Sequence, residues 1–186
     1  MPAYLLILVA IASRFVVIPH PDWLNFTAVT GALLYFGARR SWREMLGPLA
    51  ALMATDYVLT TYMYHYDFRW QGYVPTWIYY GAAMFLGQIL LRARTTIVRF
   101  AAGVVLGPTA FFLISNFAVW YGGRTLPDGL RMYAPNFGGL MTCYAAALPF
   151  YRNDLFSTTI VAGLAFGIPV LLRRIQRAEV PAVPAR

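Results

Sequence analysis

Apolar residues in this chain gather into six runs, at about 2–18, 25–38, 45–63, 74–91, 97–121 and 155–172, separated by prolines, polar residues and arginines. Runs of this kind predict membrane-spanning helices, because a helix needs roughly 20 residues to cross a hydrocarbon core of about 30 Å. The second run is short, about 14 residues or about 21 Å of helix. It is either extended into a loop or reaches only part way through a bundle that shields its end. Pro48 and Pro108 fall near helix starts, where proline is tolerated, and neighbouring helices can absorb a kink at Pro169. The pattern therefore predicts an all-α protein, a bundle of six transmembrane helices. A further apolar stretch, 135–149, is bounded by prolines and only about 22 Å long as a helix. It is expected to form a short helix at the outer surface before the last span.

Arginine positions orient this bundle. Arg39, Arg40 and Arg43 follow the second run, Arg92, Arg94 and Arg99 follow the fourth, and Arg173, Arg174 and Arg177 follow the sixth. Cytoplasmic loops carry such an excess of basic residues. Placing all three clusters inside puts both termini in the cytoplasm and leaves outer loops at 19–24, 64–73 and 122–153. The first run lacks a basic leader, and Ala12-Ser13-Arg14 is a poor cleavage site, so the run is expected to be a retained span.

Composition agrees with a membrane location. The 186 residues are 60% hydrophobic and 12% charged, where a soluble domain has roughly 25% charged residues. Mean hydropathy is +0.57. One membrane domain, 1–172, and a disordered cytoplasmic tail, 173–186, account for the chain. The net charge of +8 does not suggest nucleic acid, because the arginines flank apolar runs and form no stripe with interleaved aromatics. Membrane lipid is the partner they fit. Cys143 is the sole cysteine, which excludes an intrachain disulfide and any multi-cysteine metal site within the chain.

Candidate chemistry begins with Asp56, a carboxylate inside an apolar run, which costs from about 3 kcal/mol upward unless it is paired or used. Counted at 1.5 Å per residue from the cytoplasmic ends, Arg14 lies about 18 Å into the first run and Asp56 about 16 Å into the third. They share a depth layer and are expected to pair. Asn116 lies about 28 Å into the fifth run, near the outer surface. Asn25, Thr27, Trp120, Tyr121, Tyr144, His65, Trp70 and Tyr73 also fall in the outer half. Two readings stand open. In one, Trp and Tyr form an interfacial belt and Arg14–Asp56 locks the helices together. In the other, these groups line a pocket open to the outside with the ion pair at its floor, which the scarcity of inner-side aromatics favours.

The remaining polar residues offer less. His20 and His65 are far apart in sequence and read as interfacial residues, and Cys143 reads as packing beside small residues. Gly31 and Gly37, with Ala28, Ala32 and Ala38, give the second run a small face suited to close helix packing. Catalytic motifs are missing: there is no nucleophile–base–acid set, no H-E-x-x-H and no paired carboxylates on one helix. The expectation is a non-enzyme without a cofactor.

Four local patterns carry a resemblance. They are Arg14-Phe-Val-Val-Ile-Pro-His-Pro-Asp-Trp-Leu-Asn-Phe-Thr27, Thr55-Asp56, Phe111-Phe-Leu-Ile-Ser-Asn-Phe-Ala-Val-Trp120 and Gly139-Leu-Met-Thr-Cys-Tyr-Ala-Ala-Ala-Leu-Pro-Phe-Tyr-Arg-Asn153. Together they resemble a bacterial family of uncharacterised transport-type proteins, itself similar to the substrate-binding S components of energy-coupling-factor (ECF) vitamin transporters. The resemblance implies an inner-membrane protein with an outward pocket for a vitamin or cofactor precursor, in some relatives a cobalamin-like one. It implies ligand contacts at Arg14, Asn25, Asp56, Asn116, Trp120, Tyr144 and Asn153. An ECF-type energising module is the partner it implies. The Ala-x-x-x-Ala spacing by which many S components dock is not found among Ala3, Ala10 and Ala12. An accessory subunit of a larger membrane complex is the alternative role.

Overall fold

The structure, a computed structural model, describes residues 1–123, 125–126 and 129–178. Those residues form six α-helices: α1 (Pro2–Val16), α2 (Val29–Arg39), α3 (Leu46–Val58), α4 (Trp70–Leu91), α5 (Ile97–Gly122) and α6 (Phe137–Ala178). The protein is all-α. Three helices, α4, α5 and α6, are long and apolar enough to cross a membrane, the mark of a helical membrane protein. The first helix is apolar but has 15 residues, and α3 has 13, continued by a π-helical turn, Leu59–Met63.

Local chemistry sets several of these boundaries. Pro2 occupies the first turn of α1, where its missing N–H has no helical partner to lose. The Thr96 side chain caps α5 by accepting from the Arg99 backbone N–H at 3.3 Å. At the other end Gly123, at φ +67°, supplies the left-handed residue that closes the helix. Ser41 and Glu44 form a reciprocal capping box around the turn Trp42–Met45, which leads into α3. The Tyr4 hydroxyl of α1 donates to the same Glu44 at 2.6 Å, and Arg40 forms an ion pair with it.

The centre of the bundle is α2. Every residue from Val29 to Ala38 is buried, packed by α1, α4, α5 and α6. Its 11 residues span only about 16 Å. Of the two ways to accommodate the short second run, the fold takes the second: a short helix enclosed by longer ones. Contact with α4 is backbone against backbone. A Cβ placed on Gly37 would lie 1.7 Å from the Met84 carbonyl oxygen, and one on Gly87 would lie 2.1 Å from that of Leu34. The two glycines let the helices approach reciprocally, the device common between membrane helices.

The last third of the chain departs from expectation. Residues 135–149 do not make a separate surface helix; from Phe137 onward they belong to α6, which continues unbroken through Pro149 and Pro169. Its 42 residues extend about 63 Å, twice a hydrocarbon core. The polar group Arg152-Asn153-Asp154 that marked a loop is instead helical, with Asn153 and Asp154 turned into the bundle. The expected loop 122–153 shrinks to the connection between α5 and α6. Likewise, the expected disordered tail is helical from Arg173 to Ala178, and residues 179–186 lie outside the described residues.

Candidate functional site

Between α1, α2, α3, α4, α5 and α6 lies a polar cavity of about 230 Å³. Its charged lining is Arg14, Asp56 and Asp154, and its wall includes Asn25, Thr30, Tyr73, Tyr79 and Phe111. A smaller cavity of about 80 Å³ adjoins it, sharing Asn25, Phe111 and Asp154 and adding Ser115, Asn116 and Tyr151.

Asp56 and Arg14 meet. Arg14 Nη2 donates to Asp56 Oδ1 at 2.5 Å, and Nη1 reaches the Leu52 carbonyl at 3.5 Å. Two groups from α4 complete the carboxylate's shell. Trp77 Nε1 donates to Oδ2 at 2.9 Å and the Tyr80 hydroxyl to Oδ1 at 3.3 Å. The Asp56 side chain is 1% exposed and that of Arg14 16%. The backbone turn after Asp56 is also fastened, as Thr60 Oγ1 donates to the Asp56 carbonyl at 2.7 Å and bonds the Tyr73 hydroxyl. This cluster joins α1, α3 and α4 through a single side chain, both of whose oxygens accept from protein donors.

Among the described residues Asp154 is the other buried carboxylate, and sequence reasoning missed it. It is 4% exposed and accepts one hydrogen bond, from Thr158 Oγ1 to Oδ1 at 3.2 Å. Its Oδ2 is buried without a hydrogen-bond partner. Thr30, whose hydroxyl bonds that of Tyr79 at 2.8 Å, stands nearby in the first turn of α2.

The loop before α2 shapes the cavity. Asn25 adopts φ +64°, a left-handed conformation uncommon outside glycine. It is held there from across the bundle: Asn153 Nδ2 donates to the carbonyls of Asp22 at 2.8 Å and Leu24 at 3.0 Å. Ser13 Oγ accepts from the Ala28 N–H at 2.9 Å, filling one of the orphan donors at the start of α2. Irregular backbone inside a membrane bundle is tolerated where protein satisfies it or where it lines a cavity. Both conditions hold at this loop.

The seven residues implied as ligand contacts thus separate. Arg14, Asn25 and Asp56 line the main cavity, and Asn116 lines the smaller one with its Nδ2 bound to the Phe112 carbonyl at 2.7 Å. Asn153 clamps the loop that carries Asn25. The other two lie elsewhere. Trp120 Nε1 donates to the Ala134 carbonyl at 2.9 Å, tying the end of α5 to the following connection. The Tyr144 hydroxyl donates to the Leu113 carbonyl at 3.0 Å, joining α6 to α5. Cys143 is buried and directs its thiol to the Asn116 carbonyl at 3.4 Å. Among the described residues no group of three or more His, Cys, Asp or Glu is placed to hold a metal ion.

A signal for the missed wall exists on α4. Tyr73, Thr76, Trp77 and Tyr80 recur at three- and four-residue spacing, a stripe of polar-tipped side chains on one helical face. All four reach the cavity or its ion pair.

A family model described as "Family of unknown function (DUF6580)" matches residues 1–182. No curated protein and no solved structure matches the chain.

Proposed function

The chain belongs to the DUF6580 family, whose function is unknown, so its role must be read from its own geometry, and we propose that it binds a small organic solute within the membrane for uptake. One observation carries this reading. A cavity of about 230 Å³ lined by three ionisable side chains sits inside a bundle whose outer surface is covered with exposed Leu, Ile, Val and Phe. Charged groups at such depth are costly and mark solute or ion pathways when they surround a cavity. A purely structural ion pair needs no space beside it.

In this reading the bundle lies in a bacterial inner membrane with both termini in the cytoplasm, as the arginine clusters suggest, and the cavity opens outward. Solute enters past Asn25 and the aromatic residues of α4, and reorientation of the bundle releases it inside. An S-component-like role with an energising module is compatible with this scheme. The cavity narrows the choice of ligand. Pockets for drug-sized molecules run from about 300 to 1,000 Å³, so a corrinoid is too large for this space and a small vitamin precursor fits better.

The test is a ligand-dependent thermal shift of the protein in lipid nanodiscs, across a panel of small cofactor precursors, with mass spectrometry of any solute retained on purification. Binding should be lost in Thr76→Phe, which fills the cavity. If nothing shifts the protein and Thr76→Phe leaves uptake in cells unchanged, the proposal falls.

An accessory-subunit role draws on a different place. The start of α5 and the end of α6 enclose a groove of about 470 Å³, lined by Ile97, Phe100, Phe166, Val170 and Leu171 with Arg174 at its edge. Co-purification with a fixed complex, with cavity variants silent, would favour that role.

A further inference from the structure

The two cavity carboxylates divide the charge unequally. Arg14 neutralises Asp56, which also has the Trp77 and Tyr80 donors. Asp154 has the Thr158 hydroxyl on Oδ1 and that of Thr30 nearby, no basic side chain in its shell among the described residues, and a buried Oδ2 without a hydrogen-bond partner. Two carboxylates and one guanidinium line the cavity, so with all three ionised its lining carries one excess negative charge, located at Asp154. A buried carboxylate without a counter-charge is among the costliest arrangements a protein can keep. The side chain faces the main and the smaller cavity together, which is where a counter-charge from outside the chain could sit.

We propose that the cavity takes a small organic cation, an ammonium compound, with Asp154 as its counter-ion. This deepens the solute-binding reading and rests on it. Aromatic side chains of Tyr73, Tyr79 and Phe111 make up much of the remaining wall, and rings of this kind attract ammonium groups through their quadrupoles. An anion would meet two carboxylates and a guanidinium already engaged. A neutral solute would leave Asp154 uncompensated. At about 30 Å³ per water-sized group, a cavity of about 230 Å³ suits a solute of about eight non-hydrogen atoms.

The experiment uses the full chain in nanodiscs and isosteric probes that differ in charge: choline, uncharged 3,3-dimethyl-1-butanol and anionic 3,3-dimethylbutyrate, with 3-methylbutylammonium as a primary amine. Calorimetry should show one or both cations binding at least about tenfold tighter than the neutral isostere, as expected for a charge-assisted contact. Asp154→Asn should abolish that preference and Asp154→Glu should keep it. Should Asp154→Asn fail to fold, Phe111→Leu gives a second reading. It should weaken the cations about threefold more than the neutral probe, since both lose the same apolar contact and only the cations lose the attraction of the ring.

The cation assignment is overturned if neither cation binds, if the neutral or anionic isostere binds as tightly, or if the preference survives Asp154→Asn. Neutral or anionic binding that disappears in Thr76→Phe would sink the cation and leave solute binding standing, with Asp154 then carrying a proton. Absence of binding by these probes and by the wider panel sinks both.

Discussion

Asp56 on α3 and Asp154 on α6 line one cavity and are equally hidden from water, at 1% and 4% exposure. Their surroundings are opposite. Asp56 accepts from a guanidinium, an indole and a phenol, while Asp154 accepts from one threonine and leaves an oxygen bare. Burial alone therefore does not tell a structural carboxylate from a functional one. What separates them is whether the protein itself completes the shell. The residue that stands out in the sequence is the finished one, and the unfinished one is where a solute has something to gain.

The sharpest way to break this contrast is one substitution made at both positions. Asp56→Asn leaves Arg14 charged and uncompensated, and breaking a buried pair in this way costs about 3–5 kcal/mol. Because Arg14 keeps 16% exposure, the lower part of that range is expected. At position 154 the same exchange removes an uncompensated charge and offers an amide to the neighbouring hydroxyls. It should raise stability by about 1–3 kcal/mol, the cost of an unsatisfied buried group, while the preference for cations is lost. Detergent-titration unfolding of the two variants measures both. Equal destabilisation would end the distinction.

The donors on α4 come next. Trp77→Phe removes one charge-assisted hydrogen bond from Asp56 and should cost about 1.5–3 kcal/mol. Replacing the ion pair by Arg14→Met with Asp56→Leu should recover much of the loss of Asp56→Asn, since well-packed apolar residues often substitute for a buried pair. A residue of about 1–2 kcal/mol should persist from the unpaired Trp77 and Tyr80 donors. The same unfolding assay reads this remainder, and full recovery would mean that α4 contributes nothing to the cluster.

Asp56 was legible because it interrupts a long apolar run and because depth counting puts Arg14 in its layer. The helical character of the chain and the small face on α2 were legible for the same kind of reason: each is a local, periodic signal. Asp154 was not. It follows Pro149, Arg152 and Asn153, and locally such a group reads as the end of a loop. Only the partners of Asn153, the carbonyls of Asp22 and Leu24 some 130 positions away, show that the polar group is interior. The continuity of α6 was hidden likewise, since neighbouring helices and not the local sequence carry it past two prolines.

A third carboxylate separates satisfaction from burial. Glu44 is at least as well provided as Asp56, accepting from the Tyr4 hydroxyl, the Ser41 backbone and hydroxyl, and Arg40, but it stands at the surface. The hydrogen bond from Tyr4, followed by those from Ser41, holds its carboxyl down at about 2. A lowered folded-state pKa stabilises the fold at pH above the ordinary glutamate range. The contribution fades as pH falls from about 4.5 to about 2, where the folded form also takes up the proton. Solvent screening makes the effect the smallest of the set. The melting temperature of Glu44→Gln should therefore lie slightly below that of the parent chain at pH 7, and the gap should narrow below pH about 4.5 and close as pH approaches about 2. A gap at Glu44 as wide as that at Asp56 would show that the number of hydrogen bonds, and not their removal from water, sets the strength of these carboxylate clusters.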